Sequence, residues 1–242
     1  MATDVALVET VREGKRPVLR FYRWWPACVS LGRNQPAKEH YDAVEAERRK
    51  IDFVRRPTGG RAIYHNREIS YAVIVDRRLL GGPRRTYRTV QRALLAGLRL
   101  LGADAEVTTG PGQIVKPSTL PCFGVLDEGA IVAGGRKLVG SAQLTKEGVI
   151  LQHGSILLTA DQSPTVDLLK VQRFDDTPET PAALQELLPF MPSWKELIDG
   201  LARGFEATLG IHLSSRTLDA REKERVDHHT RLFADPAWTW RF

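Results

Sequence analysis

Residues 130–158 read AIVAGGRKLVGSAQLTKEGVILQHGSILL, apolar and β-branched runs cut by Gly134-Gly135, Gly140, Gly148 and Gly154. Such punctuation predicts antiparallel strands joined by tight turns. Upstream, Glu68-Ile69-Ser70-Tyr71-Ala72-Val73-Ile74 alternates imperfectly, as a strand over Glu68–Asp76 buried on both faces would. Asp52–Arg56 reads as a strand that stops at Pro57-Thr58-Gly59-Gly60, and strand character resumes over Arg61–His65. Val18–Trp24 and Ala27–Leu31 are short strands on either side of Pro26. Helices flank this sheet. Val90, Leu94, Leu95, Leu98 and Leu101 recur at helical intervals over Arg84–Leu101 before Gly102, and Tyr41–Lys50, Trp194–Leu209 and Leu218–Phe233 are further helices. Over Ala2–Glu13, Val5, Val8 and Val11 stand against Asp4, Glu9 and Arg12, an amphipathic helix weakened by its β-branched residues. The fold class is therefore α+β, a mixed, largely antiparallel β-sheet flanked by helices. No repeat or low-complexity linker interrupts residues 1–242, which are expected to form one domain.

The chain is 42% hydrophobic and 26% charged, enough for a sizeable core under a polar surface. No apolar stretch approaches the roughly 20 residues that span a bilayer, and Met1–Arg12 lacks the pattern of a secretory signal, so a cytoplasmic location without membrane contact is expected. A formal charge of +6 and a pI near 9.5 favour acidic partners. Nucleic acid is not the expected one, because no zinc-ligand spacing, basic heptad helix or RNA-binding aromatic motif accompanies the charge.

Several residues can carry chemistry. Arg55-Arg56-Pro57-Thr58-Gly59-Gly60-Arg61 follows a strand, its glycines allowing close backbone approach and its arginines offering charge to a phosphate or carboxylate. A hairpin turn with two solvated arginines is the plainer reading of the same residues. The two cysteines differ in setting. Cys28 lies in a strand, where a thiol is a small apolar filler, whereas Cys122 sits in the loop-like Pro117-Ser118-Thr119-Leu120-Pro121-Cys122-Phe123. Lys137, among the glycines of Gly134-Gly135-Arg136-Lys137-Leu138-Val139-Gly140, is a solvated turn lysine or a cation that favours a nearby thiolate and then shuttles protons. His65 and His153 suit structural hydrogen bonding, and no bound metal is expected.

Four motifs in one order, Arg55-Arg56-Pro57-Thr58-Gly59-Gly60-Arg61-Ala62-Ile63-Tyr64-His65, Pro121-Cys122-Phe123, Gly135-Arg136-Lys137-Leu138-Val139-Gly140-Ser141-Ala142-Gln143 and Leu151-Gln152-His153-Gly154-Ser155-Ile156, resemble the biotin/lipoate protein ligase and transferase superfamily. Within it the sequence is most similar to the LipM-type octanoyltransferases, with the resemblance running the length of the chain. That resemblance implies a ligase-like catalytic domain around an acyl pocket and a two-step reaction without a cofactor or ATP. A cysteine takes octanoyl from octanoyl-acyl carrier protein, and a lysine of a lipoyl domain, such as glycine cleavage H protein, takes it from the cysteine. Cys122 matches the nucleophile and Lys137 the lysine that depresses its pKa. Arg56, Gly59, Gly60 and His65 fall on the loop bordering the pocket. Gly140, Ser141, Ala142, His153 and Gly154 fall on the opposite wall, where backbone N–H groups around Gly140–Ala142 are candidates for an oxyanion site. Arg84, Arg85, Arg88, Arg92 and Arg99 are candidates for steering acidic carrier domains or form a solvated helix face, and the sequence leaves the oligomeric state open, a monomer being favoured. Members usually carry a few residues before the helix that here starts at Met1.

An ATP-dependent lipoate-protein ligase is the main alternative. Against it, Arg61 stands where those ligases generally have a third glycine, Cys122 would be idle, and many ligases carry an accessory domain. An amidotransferase taking octanoyl from modified H protein would use the same cysteine chemistry. A silent acyl-binding module would have no use for Cys122.

Overall fold

The turns expected in residues 130–158 form at Gly134-Gly135, with φ of 54° and 75°, and at Glu147-Gly148, with φ of 49° and 83°. Positive φ at both central residues is what a two-residue hairpin with the sheet's right-handed twist demands. Glu147 holds it without being glycine, its carboxylate paired with Arg12. The hairpins join β7 (Ile131–Ala133), β8 (Arg136–Lys146) and β9 (Val149–Leu157). The computed structural model describes residues 1–108, Phe123, 129–171 and 180–242.

In chain order the preceding elements are α1 (Ala2–Arg12), β1 (Val18–Tyr22), β2 (Cys28–Leu31), α2 (Ala43–Arg48), β3 (Asp52–Arg55), β4 (Ile63–His65), β5 (Glu68–Asp76), α3 (Pro83–Leu100) and β6 (Glu106–Val107). After β9 come α4 (Pro164–Asp167), α5 (Leu184–Leu187), α6 (Trp194–Leu209), α7 (Ala220–Ala234) and α8 (Pro236–Thr239). The sheet is divided. Six strands form a wholly antiparallel sheet in the order β1-β5-β9-β8-β7-β6. The parallel pairing that makes the fold mixed is confined to a second sheet, β3-β2-β4, where β2 runs parallel to β3 and antiparallel to β4.

β5 is buried on both faces, as its imperfect alternation suggests. Ile69, Tyr71, Val73 and Val75 join α3 and α6 in one core, whereas Ala72 and Ile74 join α1 in another. Gly97 and Gly204 let α3 and α6 touch backbone to backbone, since a Cβ at Gly204 would lie 2.3 Å from the Gly97 nitrogen. α6 starts on a capping box in which Ser193 and Glu196 satisfy each other's backbone N–H groups.

Two readings change. Gly140 and Gly154 are strand positions, not turns: a Cβ on Gly154 would stand 2.1 Å from the Gly140 carbonyl oxygen, so the close approach of β8 and β9 requires glycine there. Asp4 does not share the solvent side with Glu9 and Arg12. It is fully buried, because it stands one turn before Val8 and two before Val11 on the stripe facing the sheet. No helix among the described residues is long and apolar enough to cross a membrane.

Candidate active site

Walls from both sheets enclose a cavity of about 420 Å³. One wall is the loop after β3 with Arg56, Gly59 and Gly60, continued by His65 on β4. The other is Gly140, Ser141 and Ala142 on β8 with His153 and Gly154 on β9. Cross-strand pairing sets the second wall, since Ser141 stands opposite Gly154 and Ala142 opposite His153. The Ser141 hydroxyl is tied to Tyr71 Oη at 2.8 Å and donates to Gln91 Oε1 at 3.3 Å, which links this wall to α3. Burial pushes the Tyr71 phenol up, so it stays protonated.

The paired arginines are neither solvated nor spare charges. Arg55 is fully buried, and its guanidinium donates to the carbonyls of Gly32, Gln35 and Thr239 at 2.6–2.9 Å. Burial first, then the charges of Arg241 and Arg56, pull it down to about 10. Arg56 donates to the carbonyls of Ser30, Gly59 and Arg61 at 2.7–2.9 Å and so holds the loop against β2. The glycines divide the work: a Cβ at Gly32 would lie 1.8 Å from the Gly60 carbonyl oxygen, whereas one at Gly59 would meet nothing within 4 Å. Arg61 reaches the cavity wall with Nε and Nη1 buried and without a hydrogen-bond partner among the described residues, a cationic group in position to meet an anionic or carbonyl oxygen.

Each cavity histidine is held between a carboxylate and a hydroxyl. His65 Nδ1 lies 2.8 Å from Glu68 Oε1 and Nε2 lies 2.7 Å from Ser30 Oγ, while Trp24 stacks on the ring at 4.4 Å. His153 Nε2 lies 2.7 Å from Thr58 Oγ1 and Nδ1 lies 3.3 Å from Asp4 Oδ2. Burial alone would raise the Asp4 carboxyl; the His153 hydrogen bond and the Arg20 charge at 2.7 Å outweigh it and hold Asp4 well below the usual carboxylate range.

Burial lowers the His153 pKa, opposed in part by Asp4. An imidazole in the unfolded chain titrates near about 6.5, so below that pH the unfolded state takes up a proton that folded His153 resists. The stability His153 contributes is thus complete above about pH 6.5 and is lost as pH falls towards its folded value. Asp4 acts the same way lower down, its contribution present above about pH 3.9 and lost as pH falls through its depressed value. The melting temperature is expected to drop between about pH 7 and pH 5, and His153→Gln to flatten that part of the curve. A parallel slope in the variant would contradict the assignment.

Lys137 is not an open turn residue. It is 2% exposed near the start of β8, off the cavity wall, with Nζ 6.0 Å from the centroid of the Phe123 ring. Its neighbour Arg136 takes the outward position and donates to the Pro181 carbonyl. Phe123 is buried with Ile63, Leu157 and Ala183, its ring 3.1 Å from where a Cβ on Gly140 would be. Cys122, the residue before it, lies outside the described residues. Cys28 is buried, and burial pushes its thiol up, which suits the filler role. Among the described residues no group of three His, Cys, Asp or Glu side chains is arranged to hold a metal ion. Arg84, Arg85, Arg88, Arg92 and Arg99 are all exposed on α3, and Arg99 also donates to the Ala105 carbonyl. The residues that sequence reading passed over are Asp4 in α1, Ser30 in β2 and Glu68 in β5, polar groups inside apolar elements, and Trp24 just after β1. Only Glu68, a carboxylate three residues after a motif histidine, left a usable signal.

Against known proteins, a family profile described as lipoyl protein ligase A/B catalytic domain matches residues 1–206. The chain is 36% identical over 256 residues to octanoyltransferase LipM of Kyrpidia tusciae, covering 100% of this chain and 93% of the relative. It is 34% identical over 260 residues to octanoyltransferase LipM of Bacillus subtilis, with the same coverage of 100% and 93%. A lipoate-protein ligase A bound with ATP superposes with a TM-score of 0.82 at 28% identity over 99% of this chain and 92% of that one. A bi-partite lipoate protein ligase from Thermoplasma acidophilum, solved with its E2 lipoyl domain, gives 0.79 at 25% identity over 99% and 89%.

Proposed function

The chain belongs to the lipoyl protein ligase A/B catalytic domain family, and from that premise we propose that it carries octanoyl from an acyl carrier protein through Cys122 to a lysine of a lipoyl domain. It is an acyltransferase by its full-length kinship with octanoyltransferases, and that kinship is the observation carrying the reading. The lipoyl domain as acceptor agrees with the Thermoplasma ligase and its E2 lipoyl domain.

The chemistry is consistent with these parts. The thiolate of Cys122 attacks the donor thioester, the carrier leaves as its thiolate, and the acyl-enzyme keeps the group activated for an amine. Lys137 places a positive charge behind the wall that bears Gly140, where it favours the thiolate. Backbone N–H groups of the β8 wall and the Arg61 guanidinium are the candidates for holding the carbonyl oxygen as it gains charge. Arg56, Gly59, Gly60 and His65 shape the facing wall. The enzyme works in the cytoplasm in this reading.

An ATP-dependent ligase remains the second reading, favoured by the ATP-bound ligase among the similar structures. The two separate on donor use. With apo lipoyl domain as acceptor, octanoyl-acyl carrier protein without ATP is expected to give octanoyl-lysine, and octanoate with ATP is not. The reverse pattern would establish the ligase.

The exposed arginines of α3 give this reading a salt dependence. Steering of an acidic carrier domain is screened within a Debye length of about 10 Å at 0.1 M salt. The second-order rate with carrier protein is expected to fall about tenfold between 0.05 and 0.5 M salt. Arg84→Glu/Arg92→Glu should produce a similar fall at low salt, measured by initial rates. A salt-insensitive rate would remove the steering role.

A further inference from the structure

We propose that Ser30, His65 and Glu68 form a proton relay that takes the proton released by the lysine amine as it attacks the bound acyl group. This rests on the acyl-transfer reading and supplies its acid–base part. As the neutral amine bonds to the acyl carbon its nitrogen becomes positively charged, so a proton must leave it before the amide forms. Lys137 stands off the cavity wall that Ser30 lines.

The relay has the geometry for the task. Glu68 Oε1 lies 2.8 Å from His65 Nδ1, and with Nδ1–H donating there, Nε2 accepts from the Ser30 hydroxyl at 2.7 Å. Ser30 Oγ also accepts from Arg56 Nη1 at 3.1 Å, which leaves its second lone pair for a donor. Ser30 is closed off from solvent yet forms part of the cavity wall. Glu68 is equipped to answer an imidazolium. Its Oε1 accepts from Ser155 at 3.1 Å and from Ser70, whereas buried Oε2 has no hydrogen-bond partner among the described residues. Trp24 fixes the assembly by stacking on His65 and donating from Nε1 to Ser70 Oγ at 2.9 Å. The charged neighbours are Glu68 on β5 and Arg56 beside Ser30, with Arg61 and the Met1 amine on the same cavity wall, the amine's pKa lowered by burial; His153, also on that wall, is lowered by burial too, while the Tyr22 phenol and Cys28 thiol nearby are pushed up by burial and stay neutral. The other carboxylate–histidine pair ends on Thr58, which is fully buried and off the cavity wall.

In the step, the amine nitrogen bonds to the acyl carbon and its proton passes to Ser30 Oγ, whose own proton passes to His65 Nε2. The carbon–sulfur bond to Cys122 then breaks, and the departing thiolate takes the proton back from the relay. No oxidant, metal or nucleotide enters the balance.

Octanoyl-enzyme is formed from octanoyl-acyl carrier protein and mixed with apo lipoyl domain, and acylation and transfer are timed separately between about pH 6 and pH 10. In Ser30→Ala and Glu68→Gln, transfer is expected to fall roughly 10²-fold or more further than acylation, the range general acid–base catalysis supplies. The deficit should shrink towards about pH 10, where hydroxide can take the proton that the attacking amine releases. Ser30→Thr, which keeps the hydroxyl, should recover most of the loss. Wild-type transfer by Ser30→Ala across this range overturns the relay, and so does an equal, pH-independent loss in both steps, the mark of a structural role. If wild-type enzyme gains no adduct on Cys122, the thioester route fails instead. The same variants are then tested with octanoyl-adenylate as donor; the same deficit is expected, and its absence overturns the relay.

Discussion

Replacing Cys122 with alanine is expected to cut octanoyl transfer by roughly 10³-fold or more while leaving the melting temperature where it was. A thiolate exchanges with a thioester near neutral pH without external activation, and no other described side chain of the cavity wall matches it as a nucleophile. Ser30 lines the cavity with a partnered histidine, but a hydroxyl is a far weaker nucleophile towards a thioester than a thiolate, and Cys28 is a buried thiol that burial keeps protonated. The loss should therefore not be made up by a neighbour. Lys137→Met belongs with this experiment, because removing the charge should slow alkylation of Cys122 at neutral pH and move its dependence to higher pH. Transfer by Cys122→Ala within a few fold of wild type would remove the cysteine from the mechanism.

The second large effect is structural. Gly154→Val is expected to destabilise the protein by about 3 kcal/mol or more, the upper end of overpacking in a closed interior. The atoms a side chain would meet are the Gly140 carbonyl oxygen at 2.1 Å and Tyr71 Cε1 at 2.8 Å, and the first is backbone within the β8–β9 ladder. Relief would mean prising apart the wall that carries Gly140, Ser141 and Ala142, so activity should fall with stability. At about 2–4 °C per kcal/mol for a domain of this size, the melting temperature should drop by roughly 6–12 °C. Gly59→Ala is the control, since a Cβ there meets nothing within 4 Å. A Gly154→Val protein that melts with the wild type would contradict the packing described.

Much of this was legible before the structure because short-range chemistry decides it. Gly134-Gly135 and Gly148 announce hairpins, since few other residues tolerate positive φ. The apolar spacing of Arg84–Leu101 announces α3, because a surface helix must bury a stripe. What escaped was decided by tertiary contact. Gly140 and Gly154 look like turn residues in sequence, yet they serve a backbone approach between strands that no local signal marks. Asp4 looks like part of a polar helix face, and only the arrival of His153 and Arg20 makes its burial tolerable. Arg55 and Arg56 read as ligand charges or solvated turn residues, but the carbonyls that occupy them come from β2, the loop after it and the region of Thr239. Ser30 and Glu68 come to His65 from separate strands, so the motif named only the central member. The division of the strands into two sheets was likewise hidden, because strand propensity does not say which edges meet.

The central claim is that the acyl group passes through Cys122. Intact-protein mass spectrometry of the enzyme mixed with octanoyl-acyl carrier protein, without ATP and before any acceptor is added, tests it most directly. The account predicts one octanoyl adduct that maps to Cys122 and moves to the lysine of an apo lipoyl domain when that domain is supplied. An enzyme that stays unmodified until octanoate and ATP are added, and then octanoylates the domain with Cys122 untouched, would contradict it.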